Sequence, residues 1–208
     1  MDGLIMSKNS DLRVTKTRKL IRDSFITLIS EKSFESITIN DISQEAQINR
    51  STFYLHYTDK YELLEKTVDE TFEKLVVLIA PEAHIQGRNL EFYSFSQNIQ
   101  AILKTIADDA LFYKTILVNN EMVHIRQKMA NILKRKLGQS FHEQTLIPTD
   151  LFLELLTSLY IGAFSWWLTN DMAYSPAYMA DQLIKMLTMG PIKVAGLVSY
   201  DDASTTKS

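Results

Sequence analysis

No cysteine occurs among the 208 residues, which excludes a disulfide framework, a thiol nucleophile and a thiolate metal site. A reducing cytoplasm is the compartment this suggests. Glycine and proline are scarce, six and four residues, so few tight turns are available. No run of eighteen consecutive apolar residues exists, and no membrane-spanning segment is expected. The opening stretch, MDGLIMSKNSDLRVTKTRK, lacks the apolar region of a signal peptide, and Met6 is an alternative start to Met1. A large excess of positive charge is also missing: the net charge of −3 argues against a wholly basic nucleic-acid coat. The chain has no glycine-rich phosphate loop, no G-x-S-x-G and no H-E-x-x-H, so neither an enzyme nor a cofactor is expected. His56, His84, His124 and His142 are scattered. Glu121 and His124 share a helix face without a third ligand, so no metal site is expected.

What is present is helical periodicity. Apolar residues recur near every 3.6 positions almost throughout, which predicts an all-α protein. The spacing predicts a first helix over 15–32, with Ile21, Phe25, Leu28 and Ile29 inward. A fourth follows over 59–79, capped by Thr58 or Asp59. Pro81 and Gly87-Arg88-Asn89 mark a connection. Further stripes run through Phe92–Ile106, Leu111–Val118, Glu121–Ser140 and Thr149–Trp167. A last helix, opened by Ser175-Pro176 and stopped by Gly190-Pro191, precedes a polar tail. The domain expectation is a flexible 1–12, a helix-turn-helix domain over 13–60, a helical regulatory and dimerisation domain over 61–190, and a tail over 191–208. About nine helices are expected in all.

Between residues 38 and 60 lie two short helical stretches joined by a tight turn. Ile39, Ile42 and Ala46 share a face of the first, and Phe53 and Tyr57 repeat four apart in the second. Thr38 opens a capping-box-like start with Asp41, and Asn49 is placed to cap the next helix. Asn49, Arg50, Ser51, Thr52, Tyr54 and His56 can all hydrogen-bond, and none is needed for a core. A short helix with one apolar and one donor-rich edge suits a DNA groove, the geometry of a helix-turn-helix. Upstream, Arg13, Lys16, Arg18, Lys19 and Arg22 fall within ten residues without an acid. They read equally as a small DNA footprint or as a solvated helix start.

The run Ile48 to Tyr57, with Asp59-Lys60 and Leu63-Leu64 after it and Ile37-Thr38-Ile39, Ile42 and Ala46 before it, resembles the DNA-binding part of TetR-family transcriptional regulators. The likeness covers about residues 13–66. A weaker one, through Trp166-Trp167-Leu168 and Ser175-Pro176, resembles a branch common in Firmicutes. The resemblance implies an N-terminal three-helix DNA-binding domain followed by a C-terminal helical ligand-binding and dimerisation domain. It implies phosphate contacts from Thr38, Tyr54, His56 and Lys60. Lys60 in the first turn of a helix is misplaced with respect to the helix dipole, which suggests a role outside its own helix. Arg50, Ser51 and Thr52 are the candidate base readers. Arg50 suits a guanine edge or a phosphate equally.

The resemblance further implies a homodimer on palindromic double-stranded DNA, most often a repressor, released by a small-molecule effector. The alternative is a co-regulator or coactivator whose C-terminal domain answers to a protein partner. Candidate dimer residues are Leu155, Leu159, Gly162, Ala163, Trp166, Met179, Leu183 and Met186. Packing within one subunit is the other reading of those stripes. Phe95, Ile99, Phe112, Tyr113, Ile116, Tyr160 and Phe164 are candidates to line an effector pocket, or plain core.

Overall fold

The structure, a computed structural model, describes residues 2–79, 81–86, 89–139, 141 and 145–197. Among them the long apolar stripes form α1 (Asp2–Glu31), α2 (Ile39–Glu45), α3 (Arg50–Tyr54), α4 (Lys60–Leu78), α5 (Phe92–Asp108), α6 (Ala110–Val118), α7 (Val123–Gly138), α8 (Thr149–Thr169) and α9 (Pro176–Val194). The fold is all-α: an N-terminal helix-turn-helix followed by a C-terminal helical part. A two-stranded antiparallel ladder, β1 (Ile85–Gln86) on β2 (Asn89–Leu90), occupies the connection that Pro81 predicts. The first helix starts at Asp2 and not near Thr15, so residues 2–12 have helical backbone where an irregular end was expected. Past Gly3 that stretch holds no glycine or proline to stop a helix. The expected polar tail lies mostly outside the described residues, as does His142.

The chain divides into two compact units. One comprises Met1–Val77 with Asp109–Ile132, the other Leu78–Asp108 with Leu133–Ser208. In the first, α1 packs on α2 and α6, and α2 on α3. Ile21, Phe25, Ile42, Phe53, Leu63, Phe112 and Ile116 are buried there. The Phe72 and Phe112 rings meet edge to face at 6.1 Å. Arg22 is drawn into this unit. It pairs with Asp109, donates to Thr71 at 3.2 Å and lies 5.4 Å from the Phe112 ring centroid. It is therefore a tie between α1 and α6, and no longer a free member of the basic run. Two more bonds join the 109–132 segment to the rest: Lys128 to Asp69 at 2.5 Å, and the Phe34 amide to the Glu121 carboxylate at 2.8 Å. Glu121 thus serves the α1–α2 connection.

In the second unit α5 packs on α9, burying Ile99, Ile102, Leu103 and Ile106 on one side and Met179, Ala180, Leu183 and Ile184 on the other. Ser175 caps α9, accepting the Tyr178 amide at 3.2 Å, with Pro176 in the first turn as expected. The helix breaks at Gly190, whose φ of 74° is left-handed, before one more turn. By length and composition α8 could cross a membrane, an exception to the expectation from consecutive apolar residues. Its apolar residues divide between a buried side, with Leu153, Tyr160, Phe164 and Trp167, and an exposed side described below.

Candidate nucleic-acid interface

The turn between α2 and α3 fixes everything that the second helix presents. Ala46 ends α2 and Gln47 turns left-handed at φ 53°. The Ile48 amide then donates back to the Ser43 carbonyl at 2.9 Å, and the Gln47 amide to Gln44 at 3.1 Å. This is a Schellman closure, with glutamine in a position that favours glycine. It leaves Asn49 extended at the N-cap of α3. Its carbonyl accepts the Thr52 amide at 2.9 Å, but its side chain makes no capping bond, contrary to expectation. Asn49 stands on an exposed corner, and no hydrogen bond of its side-chain amide occurs among the described residues.

Phe53 is fully buried and Tyr57 nearly so, which anchors α3 by its inner edge. Arg50, Ser51 and Tyr54 lie exposed on the outer edge, while Thr52 and His56 are half-buried. Arg50 and Tyr54 stand four apart, one above the other. The guanidinium donates to the Tyr54 hydroxyl at 3.3 Å and sits 6.0 Å from its ring centroid. His56 titrates below its ordinary range because of burial first and the Arg18 charge second. Both causes disfavour the charged imidazolium, and a phosphate brought beside the ring would act in the opposite direction. Arg18, exposed on α1, was visible only as part of a basic run. The fold brings it near His56 and Tyr57. Arg13 and Lys16 are also exposed and have no ion pair among the described residues, whereas Lys19 is bonded to Asp23 at 2.5 Å.

Thr38 caps α2 in a reciprocal box. Its amide donates to Asp41 at 2.8 Å and its hydroxyl donates to the same carboxylate at 2.9 Å, while the Asp41 amide donates back at 3.2 Å. The hydroxyl proton is thus given to Asp41, and Thr38 stays exposed at the start of α2. The Thr38 amide, then Lys32, then the Thr38 hydroxyl hold the Asp41 carboxyl down to about 2. The folded state binds this proton less tightly than the unfolded chain does. The contribution to stability is therefore present above the ordinary carboxylate range and is lost as pH falls towards 2. In Asp41→Asn, the decline of stability between about pH 4 and 2 should be shallower than in the parent, read by urea unfolding. Equal declines in the two proteins would remove Asp41 from the acid-sensitive set.

Lys60 is engaged within its own chain. Its ammonium donates to the Phe34 carbonyl at 2.8 Å, to Glu35 at 2.9 Å and to Ile37 at 3.1 Å. An ammonium has three protons, and here each has an acceptor. The group also stands 4.7 Å from the Phe34 ring centroid and 5.5 Å from that of Tyr61, and only 13% of the side chain is exposed. These contacts tie the start of α4 to the Phe34–Ser36 turn. Helix α4 is capped by Asp59, which accepts the Tyr61 and Glu62 amides at 2.9 and 2.8 Å.

In the second unit, α8 exposes Leu151, Leu155, Gly162 and Trp166 along one side. Leu159 and Ala163 beside them are half-buried, and a Cβ built on Gly162 would meet nothing within 4 Å. Trp166 stacks on Tyr174 at 6.2 Å, and Tyr174 on Tyr178 at 4.8 Å. Met179 and Leu183 do not join this face: they are 6% and 5% exposed, in the helix that packs on α5. Met186 is half-buried. The candidate pocket residues fall in different units. Phe112, Tyr113 and Ile116 are buried in the first, while Ile99, Tyr160 and Phe164 are buried in the second with Phe95 half-buried. Burial raises the Tyr113 hydroxyl well above its ordinary range, with Asp109 adding to the effect, and that hydroxyl has no hydrogen-bond partner among the described residues.

A rigid turn, a short helix anchored by Phe53 and an outer edge of arginine, serine and tyrosine define a helix-turn-helix DNA-binding regulator. Comparison with known proteins gives the family. Residues 21–67 match the model for bacterial regulatory proteins of the tetR family, and residues 93–189 match a transcriptional regulator C-terminal region. The chain is 38% identical over 139 residues to IcaR of Staphylococcus epidermidis, the negative transcriptional regulator of the biofilm operon icaADBC, covering 62% of this chain and 71% of that one. It is 25% identical over 198 residues to the uncharacterized regulator YxbF of Bacillus subtilis, covering 90% of this chain. The chain spans about half, 48%, of the length of YxbF. A TetR transcriptional regulator from Streptococcus agalactiae shares the fold with a TM-score of 0.60, at 24% identity over 86% of this chain and 98% of that one. The chain belongs to the TetR family of transcriptional regulators.

Proposed function

We propose that the protein is a cytoplasmic repressor that binds a palindromic operator as a homodimer and is released by a small-molecule effector. The observation that carries DNA reading is the exposure of Arg50, Ser51 and Tyr54 side by side on a helix whose opposite edge is locked by Phe53. Thr52 and Asn49 complete the base-facing set. Tyr54, His56 and Thr38 face the backbone, joined by Arg18 from α1. Lys60 leaves this list as the staple of the turn behind it. The likeness to IcaR, a negative regulator, supports repression. An exposed apolar side of α8 supports pairing with a second copy. The buried hydroxyl of Tyr113, without a hydrogen-bond partner among the described residues, supports an effector, because such a group costs free energy that a polar ligand can return.

The test is selection of duplexes from a random pool with the full chain. An enriched palindrome is the expected result, and no enrichment at moderate ionic strength overturns the reading. Within the winner, Arg50→Ala should relax preference at one base pair per half-site by about 1–3 kcal/mol, because Tyr54 steadies the guanidinium for a guanine edge. Uniform weakening over all sequences would make Arg50 a phosphate clamp instead.

A further inference from the structure

The donor-rich edge of α3 ends on a residue that donates nothing. Leu55, the C-cap of the helix, is 81% exposed. Its neighbours on either side are Tyr54, half-exposed, and His56, half-buried. Neither Phe53 nor Tyr57, the anchors of this helix, leaves it a place in the core. An isolated exposed leucine is ordinary on a protein surface. This one stands one turn beyond Ser51, on the same side of the helix, beside the parallel Arg50–Tyr54 pair.

Length decides whether it can reach bases. In a long recognition helix only the N-terminal residues meet base edges, because the far end leaves the groove. Helix α3 has five residues, so it rises only about 7.5 Å, less than the roughly 12 Å width of a major groove. Its C-cap therefore stays within the groove that its start enters. Ser51 and Leu55 are separated by about 6 Å along the axis, close to two base-pair steps of roughly 3.4 Å. The base-edge feature in that groove with the largest apolar contact for an isobutyl group is the C5-methyl of thymine, which stands where cytosine has only a hydrogen.

We infer that Leu55 is a specificity residue that reads a thymine methyl about two base pairs from the pair that Ser51 faces. This rests on the DNA-binding reading above. The helix then carries two parallel readers: a hydroxyl followed by an apolar group, beside an arginine steadied by a tyrosine. Burying one methyl against Leu55 should be worth roughly fourfold in affinity per half-site.

The experiment takes the duplex enriched from the random pool and replaces each thymine in turn by uracil, which removes only the methyl and keeps the base pair. With the parent protein, one thymine per half-site should show a loss of roughly fourfold. With Leu55→Ala that loss should vanish at the same position, while uracil elsewhere has the same effect on both proteins. The fold is not at risk from this variant, because the side chain is mostly in solvent. A flat scan with the parent overturns the inference while leaving DNA binding intact. So does a methyl dependence that persists in Leu55→Ala. Failure to enrich any duplex instead overturns the underlying DNA-binding reading, and with it this one.

Discussion

Lys60→Met is expected to lower stability by about 3 kcal/mol and the melting temperature by roughly 6–12 °C, with the salt dependence of DNA binding unchanged. Methionine keeps the unbranched stem and removes the three N–H groups. The carbonyls of Phe34, Glu35 and Ile37 then lose the one donor that serves all three. Hydrogen bonds to a charged group are each worth about 1.5–3 kcal/mol, but three on one ammonium do not add, and the Glu35 carbonyl is exposed to water. The contact with the Phe34 ring is lost as well. Phe34 also meets Phe25 at 6.1 Å and Tyr61 at 5.2 Å, so a loosened turn disturbs the core next to α2. A phosphate contact would have a different signature. Its loss leaves stability nearly untouched and reduces the slope of log K against log salt by about 0.9 per subunit. Denaturation and a salt titration on the same variant separate the two. An unchanged melting temperature with a reduced slope would return Lys60 to the DNA face.

That residue also marks the limit of what the sequence made legible. Periodicity located the helices, because each buries a stripe whose spacing is set by its own geometry. Thr38 with Asp41, and Ser175 with Pro176, were readable for the same reason: a cap and its partner lie within four residues. The roles that stayed hidden depend on contacts far along the chain. Lys60 reaches carbonyls 23 to 26 positions away, and Arg22 meets Asp109 and Phe34 meets Glu121 across 87. No local pattern encodes such a distance. Leu55 was hidden for another reason. Nothing in the local pattern marks an apolar residue on a donor-rich helix, and only its exposure in the fold distinguishes it. The α9 stripe was ambiguous in principle. Met179 and Leu183 face inward at helical spacing, and the same spacing would serve a second copy of the chain or the chain's own α5. Only the fold shows that α5 takes them.

That distinction yields the second large effect. Leu155→Glu should convert a dimer into monomers and lower affinity for the palindrome by a factor of a hundred or more. Leu155 is 57% exposed and Trp166 52%, on the side of α8 where Gly162 leaves room for a close neighbour. Leucine and glutamate have similar helix propensities, so the exposed change leaves the single chain folded. At a packed interface the new carboxylate would be an unpaired buried charge, costing several kcal/mol. One short reading helix covers few base pairs. Specific affinity depends on two of them about 34–36 Å apart, or somewhat more, which a monomer cannot supply. Met179→Ala provides the contrast. That side chain is buried against its own chain, so the change should cost about 2–5 kcal/mol of folding stability and leave the oligomeric state of the folded fraction as it was. Sedimentation equilibrium and fluorescence anisotropy on the two variants decide the matter. A Leu155→Glu protein that sediments as a dimer and still retains the palindrome would move the pairing surface away from α8, and the search for it would turn to the exposed rings of Tyr174 and Tyr178.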